Sequence, residues 1–369
     1  MDRTRIDALL DRAVRLAVRG HGGAEPNPMV GCVIARDDGT VIAEGFHRRC
    51  GEGHAEVEAL RAAGADARGA TALVTLEPCS HTGRTGPCTV ALRDAGIARV
   101  FYAVADPNPS AKGGAAHLRS WGIEALEHPH AKAAELAKPF LKRVTTGLPW
   151  VSAKWAQSID GAIALASGES KWISSGRSRA MVHRERGRVD AILTGIGTVL
   201  ADDPQLTPRG VRIQRMPVRI VFDPEARTPT TAKVCDRVTK TILLTAPTLD
   251  DAGRNRLRAL RELGVSSIEL GAELELTPAL RELARQGIAS MLVESGGGLV
   301  GRLLRERLLD EAWVFVGPIL VGDDEARRSA RGLDADSMQT VRQARLLAVR
   351  RRGTDALLHY RFDTASTRT

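Results

Sequence analysis

Nothing in the 369-residue sequence approaches the ~18 consecutive apolar residues that a membrane-spanning helix needs. The longest apolar run, residues 312–321, already contains Gly317 and Pro318. The opening Met1-Asp2-Arg3-Thr4-Arg5-Ile6-Asp7 places acids where a secretory leader needs a basic stretch before an apolar run. A cytoplasmic location with no membrane partner is therefore expected. Aromatic residues make up only 4% of the chain, which leaves few rings on which nucleic-acid bases could stack. Lysine is scarce as well: eight of the 53 basic residues, with the arginines spread along the chain rather than clustered. The net charge of +9 thus points away from nucleic acid and toward small anions, phosphates above all. Cysteine is limited to five, at positions 32, 50, 79, 88 and 235. An odd count without a leader argues against a disulfide framework and makes a close pair such as Cys79 and Cys88 a candidate for metal or catalysis.

What is present is enough for two cores. Hydrophobic residues amount to 43% and charged residues to 26%, and the length suits two domains. Ile6, Leu9, Leu10, Ala13, Leu16 and Ala17 recur at helical spacing and open the chain with an amphipathic helix. A hairpin follows, with apolar residues 29–35 and 41–43 flanking Asp37-Asp38-Gly39. The reading continues with a helix over 54–63, a strand over 72–76, a helix over 88–95 and a strand over 100–104. After Thr146-Gly147 the alternation restarts: a strand over 151–156, a helix over 176–186 and strands at 191–194, 218–222, 241–245 and 290–293. A helix over 299–308 and strands near 314–316 and 357–360 complete it. Both halves are expected to be α/β, the second with a mostly parallel sheet. The domains are expected to cover residues 1–147 and 148–369.

The first half carries a metal constellation. His54-Ala55-Glu56 opens a helix; Pro78-Cys79 follows a strand; Cys88 opens the next helix. One histidine and two thiolates are the three ligands of a catalytic zinc that keeps a fourth position for water. Glu56, two residues beyond His54, suits a proton shuttle. This is the zinc-deaminase signature with one change, since eight residues, 80–87, separate the cysteines instead of two.

Those motifs resemble a known family. Ala24-Glu25-Pro26-Asn27-Pro28-Met29-Val30-Gly31, His54-Ala55-Glu56 and Val74-Thr75-Leu76-Glu77-Pro78-Cys79-Ser80-His81-Thr82-Gly83-Arg84-Thr85-Gly86-Pro87-Cys88 are similar to the pyrimidine deaminase domain of bifunctional riboflavin-biosynthesis proteins. The resemblance implies a cytidine-deaminase-like three-layer domain with zinc on His54, Cys79 and Cys88 and Glu56 as catalytic residue. It also implies that Asn27, His47, His81 and Arg84 hold the substrate's ring and ribose phosphate. Gly86, where the family usually has proline, and a loop at 110–114 that is one residue short depart from the family pattern.

The second half carries two glycine turns at strand ends: Thr194-Gly195-Ile196-Gly197-Thr198, and Glu294-Ser295-Gly296-Gly297-Gly298 before a helix. Glycine lets the backbone approach a phosphate, and a helix N-terminus offers free N–H groups. Two such turns fit a dinucleotide at the carboxyl edge of a sheet. Lys154-Trp155-Ala156-Gln157-Ser158-Ile159-Asp160-Gly161, Gly168-Glu169-Ser170-Lys171-Trp172-Ile173-Ser174 and Leu200-Ala201-Asp202-Asp203-Pro204-Gln205-Leu206-Thr207 resemble the reductase domain of the same family, which is dihydrofolate-reductase-like. The resemblance implies NADPH contacts at Ala156, Trp172, Thr198, Asp202, Gly296, Gly297, Gly298, Leu299, Val300, Gly301 and Arg302. It implies substrate contacts at Ser170, Arg186, Leu206, Arg209 and Glu294. Glu185, Ile319 and Ala137 depart from the family's leucine, lysine and asparagine, and a charged Glu185 is expected to draw Arg186 away from phosphate.

Together these imply a cytoplasmic homo-oligomeric enzyme of riboflavin biosynthesis. It would deaminate a phosphoribosyl diaminopyrimidinone hydrolytically with Zn2+ and then reduce the ribosyl group to ribityl with NADPH. Its partner is a small molecule and not a nucleic acid.

Overall fold

A computed structural model of the chain describes residues 1–81, 86–108 and 113–363. They form two compact units, Met1–Gly147 and Leu148–Thr369. No helix among the described residues is long and apolar enough to cross a membrane.

The first unit runs α1 (Arg3–Ala17), β1 (Gly31–Ala35), β2 (Val41–Phe46), α2 (Ala55–Ala63), β3 (Thr71–Val74), α3 (Cys88–Asp94), β4 (Arg99–Tyr102), α4 (Gly114–Ser120), β5 (Glu124–Glu127) and α5 (Ala131–Thr146). Its sheet has the order β2-β1-β3-β4-β5. The β1 strand is antiparallel to both neighbours, whereas β3, β4 and β5 run parallel. Side chains alternate between the sheet faces. Cys32, Ile34, Ala72, Val74 and Val100 pack under α2, α3 and α4; Val33, Ala35, Leu73 and Phe101 pack under α1 and α5. Three layers follow from that alternation. The parallel pair β3–β4 places the segments after Val74 and Tyr102 side by side at one end of the sheet. The zinc-motif cysteines and the Asp106-Pro107-Asn108 turn come from there.

The second unit runs β6 (Trp150–Gln157), β7 (Ala162–Ala164), α6 (Gly176–Arg186), β8 (Ala191–Gly195), α7 (Ile196–Asp202), β9 (Val218–Phe222), β10 (Thr241–Thr245), α8 (Asp251–Glu262), β11 (Ser266–Glu269), α9 (Leu276–Arg285), β12 (Ser290–Val293), α10 (Gly297–Arg305), β13 (Glu311–Val316), β14 (Arg327–Arg328), β15 (Ala344–Arg352) and β16 (Asp355–Phe362). Nine strands form one sheet in the order β11-β10-β9-β8-β12-β6-β13-β16-β15. Every pairing from β11 to β13 is parallel, and only the β13–β16–β15 end is antiparallel. Helices α9 and α10 cover one face through Leu276, Leu280, Leu283, Val300 and Leu303; α7 and α8 cover the other through Ile196, Val199, Leu257 and Leu260. Strands β8 and β12 are parallel neighbours, so both glycine turns lie together at the carboxyl edge.

Candidate active sites in the two units

In the first unit three short segments deliver the candidate metal-binding side chains. His54 caps α2 from an extended conformation (φ −70°, ψ 166°), which leaves its ring outside the first turn rather than within the helix expected to begin there. Cys79 follows β3, and Cys88 is the first residue of α3, after Pro87. The Nδ1 atom of His54 is 3.2 Å from Cys88 Sγ and 3.5 Å from Cys79 Sγ, and the backbone N–H of Cys88 donates to Cys79 Sγ at 3.5 Å. All three donor atoms lie within 4.8 Å of one another. Tetrahedral zinc, with bonds of about 2.0–2.3 Å, sets its ligand atoms about 3.5–3.8 Å apart, so the donor set fits that ion in both type and spacing.

Electrostatics agree with a cation there. The hydrogen bond from Cys88 and the neighbouring His54 bring Cys79 down to about 4 against the cost of burial. The thiolate at Cys79, together with burial, raises Cys88 well above the usual thiol range. Two thiolates so close need a cation to ionise together. Glu56, in the first turn of α2, is only 3% exposed. Burial pushes its carboxyl up, and the charge on Cys79 adds to that.

A cavity of about 410 Å³ opens beside this cluster, and Asn27, His47, His54, Glu56, Cys79 and His81 all line it. Asn27 Nδ2 donates to His47 Nε2 at 3.2 Å while the other ring nitrogen of His47 donates to the Gly53 carbonyl at 3.1 Å. That pairing fixes the neutral Nδ1–H tautomer, and burial lowers the ring's basicity in the same sense. His81 Nδ1 is buried without a hydrogen-bond partner among the described residues. Arg84 lies outside the described residues, as does most of the shortened 110–114 loop. Glu77, Asp106, Asn108 and Phe140 also line the cavity. Sequence reading assigned a role to none of them.

In the second unit a pocket of about 630 Å³ gathers Trp172, Arg186, Arg209 and Glu294 with Lys154, Arg179 and His183. The Arg186 Nε donates to Glu294 Oε1 at 2.5 Å, its Nη2 to Oε2 at 3.1 Å and its Nη1 to the Thr207 carbonyl at 3.1 Å. Burial works against Glu294, but Arg186 holds it ionised below the usual carboxylate range. Lys154 Nζ stands 4.0 Å from the same carboxylate, and burial lowers its basicity. The expected diversion of Arg186 by Glu185 is not what occurs. Glu185 accepts from Arg188 at 3.0 Å, two residues beyond the end of α6, and Glu294 is the residue that engages Arg186. Arg209 is exposed in the pocket, and Trp172 presents a ring that Arg179 covers at 4.3 Å from the centroid.

The other expected contacts are distributed along the carboxyl edge. The hydroxyl of Thr194 donates to the Glu294 carbonyl at 2.7 Å, and the Gly195 N–H donates to Ser295 Oγ at 3.1 Å, which ties the two turns together. Each turn passes directly into a helix, α7 after Gly195 and α10 after Gly296. A side chain at Gly197, Gly296 or Gly298 would meet only open space, so the backbone there is accessible to a ligand. Gly297 and Gly301 serve packing: a Cβ would come within 2.2 Å of the Arg328 carbonyl and 1.8 Å of the Arg331 carbonyl. Leu299, Val300 and Leu206 are buried in the core. Arg302 turns to the Leu274 carbonyl at 3.0 Å and stacks on Phe222. Asp202 is exposed and pairs with Lys171 at 3.7 Å; Thr198, Ser170 and Ala156 are half-buried outside the pocket lining.

The fold and the two sites describe a zinc-dependent deaminase followed in the same chain by a reductase. Residues 3–104 match the cytidine and deoxycytidylate deaminase zinc-binding region, and residues 149–358 match the RibD C-terminal domain. The riboflavin biosynthesis protein RibD of Escherichia coli is 41% identical over 367 residues, covering 94% of this chain and 97% of that protein. RibD of Aquifex aeolicus is 40% identical over 84% of this chain and 86% of its own. A solved Acinetobacter baumannii RibD superposes with a TM-score of 0.87 at 37% identity, covering 98% of this chain and 100% of that one. The chain belongs to the RibD family of bifunctional deaminase–reductases of riboflavin biosynthesis, with a zinc-binding deaminase region as its first unit.

Proposed function

We propose that residues 1–147 convert 2,5-diamino-6-(5-phosphoribosylamino)pyrimidin-4(3H)-one to 5-amino-6-(5-phosphoribosylamino)uracil. Residues 148–369 then reduce the ribosyl group of that product to ribityl. A solved Thermotoga maritima chain titled as this deaminase and uracil reductase matches with a TM-score of 0.84 at 31% identity over 98% of the present chain. The observation that carries the reading is the convergence of His54, Cys79 and Cys88 beside a buried Glu56 that lines the same cavity.

His54 Nδ1 and the two sulfurs would hold the zinc. When bound, that ion supplies Lewis acidity that brings the pKa of water to about 7. Glu56 takes a proton from the attacking water and returns it to the departing ring amino nitrogen, which leaves as ammonia. Asn27 and the neutral His47 orient the pyrimidine ring, while His81 and Arg84 meet the phosphate. In the second unit the open backbone at Gly296 and Gly298 and the Trp172 ring would hold NADPH, which would supply a hydride for the sugar C1. Arg209 offers its fork to the phosphate. Arg186 holds Glu294, and through it Lys154, at the reacting end of the sugar.

The reading includes a cytoplasmic homo-oligomer that takes a small-molecule substrate and no nucleic acid. The test is to incubate the purified protein with the diaminopyrimidinone ribosyl phosphate, with and without NADPH, and to follow ammonia and NADPH absorbance together. Ammonia release without NADPH, and NADPH oxidation only after deamination, are expected. Tight RNA affinity without turnover would replace this reading with a nucleic-acid deaminase.

A further inference from the structure

The carboxylate of Glu77 joins three segments that are far apart in sequence. Glu77 lies three residues beyond β3 and two before Cys79 and is 9% exposed. Its Oε1 accepts the N–H of Ala115, in the first turn of α4, at 2.9 Å, and its Oε2 accepts the N–H of Asp106, beyond β4, at 3.2 Å. The Asp106 carboxylate in turn accepts the N–H of Asn108 at 2.9 Å, which shapes the turn that lines the cavity. The start of α4 is also seated on the cysteine segment itself: a Cβ on Gly114 would lie 1.8 Å from the Pro78 carbonyl. Each Glu77 oxygen thus serves a separate segment. Hydrogen bonds to an ionised carboxylate are about twice as strong as neutral ones. Neither bond reaches a metal-binding atom.

We propose that Glu77 is a positioning residue for deamination. It locks the Asp106–Asn108 turn and the head of α4 to the Cys79 segment, so that the far wall of the cavity is held in register with the metal site. Its role is in shaping the substrate pocket, not in holding zinc or moving protons. The proposal rests on the deaminase reading above.

The conservative change Glu77→Gln keeps one acceptor oxygen and turns an amide N–H toward a backbone N–H, so one of the two segments is released. Glu77→Ala releases both. In the full-length chain, Glu77→Gln should raise the KM for deamination and lower kcat/KM by roughly 10- to 100-fold, the effect of losing one charge-assisted hydrogen bond. Its kcat should fall far less, and Glu77→Ala should be worse in both respects. Zinc content and NADPH-dependent reduction of supplied uracil intermediate should stay at wild-type levels. Hydrogen exchange at the amides of Asp106 and Ala115 should speed up in both variants; this readout does not depend on activity. Unchanged exchange and unchanged KM in Glu77→Ala would overturn the proposal, as would a loss of zinc parallel to the loss of activity. A wild-type protein that releases no ammonia would instead defeat the deaminase reading while leaving the exchange result to stand or fall alone.

Discussion

Replacing Glu56 by glutamine separates binding from chemistry in the first unit. The side chain is 3% exposed and lines the cavity beside the three donor atoms, which among the described residues do not include its own. Glutamine preserves shape and hydrogen-bonding capacity but cannot accept and return a proton. A positioned acid–base group contributes about 10²–10⁴ in rate, equivalent to about 3–5 kcal/mol on the barrier. Deamination should fall by at least that range. Zinc should remain, because all three ligands do. Folding should not suffer, because burial already disfavours the charged form of this carboxyl. A fourth ligand would behave differently, since zinc affinity would fall with activity. A mere first-turn acid favoured by the helix dipole would cost only about 0.3–1 kcal/mol of stability and leave turnover alone. Zinc analysis and ammonia release on one preparation distinguish the three cases. Near-normal turnover would refute the mechanism.

Other outcomes follow for the second unit. Arg186→Ala leaves Glu294 buried without its bidentate partner, the two side chains being 14% and 12% exposed, and should cost about 3–5 kcal/mol, read as a lower Tm with reductase activity lost. Because the folded-state pKa of Glu294 is depressed, its contribution is fully present above its ordinary value of 4.5 and is lost as pH falls through the lower folded value. Chemical denaturation of wild type and Glu294→Gln between pH 3 and about 6 should therefore converge toward the acid end; parallel curves would contradict the pairing. Gly301→Ala should lower Tm by its clash with the Arg331 carbonyl, whereas Gly298→Ala should leave Tm unchanged and raise the KM for NADPH. Equal effects on both quantities would remove the distinction between packing and cofactor glycines.

Much of the first unit was legible because each element announces itself locally. The opening helix shows in its apolar spacing, β3 in its run of buried residues, and the metal site in three motifs that no single element explains. Helices α8 and α9 were not read although Leu257 and Leu260, and Leu276, Leu280 and Leu283, recur at helical spacing. Other elements not read from sequence lie where the local signal is weak. The edge strand β5 buries only Ala125 of its four residues, and β15 is an arginine-rich edge strand with Leu346 and Val349 exposed. Helix α5 contains Pro139, which obscures its periodicity. In the second unit the glycine turns were visible, but not that Gly297 and Gly301 are required by a backbone approach from residues 328–331. Such a contact is non-local and leaves no pattern in the sequence. The same holds for the Arg186–Glu294 pair, 108 residues apart, and for the bonds Glu77 makes across 29 and 38 residues. Glu185 was read as the rival for Arg186 because it is adjacent in sequence, yet adjacent helical residues point in different directions.

The most direct test of two separate sites in one chain is Cys79→Ala in the full-length protein, assayed for ammonia release from the diaminopyrimidinone and for NADPH oxidation with the uracil intermediate supplied. All three atoms proposed to hold zinc belong to Met1–Gly147, while the pocket around Glu294 and both glycine turns belong to Leu148–Thr369. The expected result is zinc and ammonia release abolished, with NADPH oxidation at the wild-type rate. Retained deamination would contradict the ligand assignment, and simultaneous loss of both activities would contradict the independence of the sites.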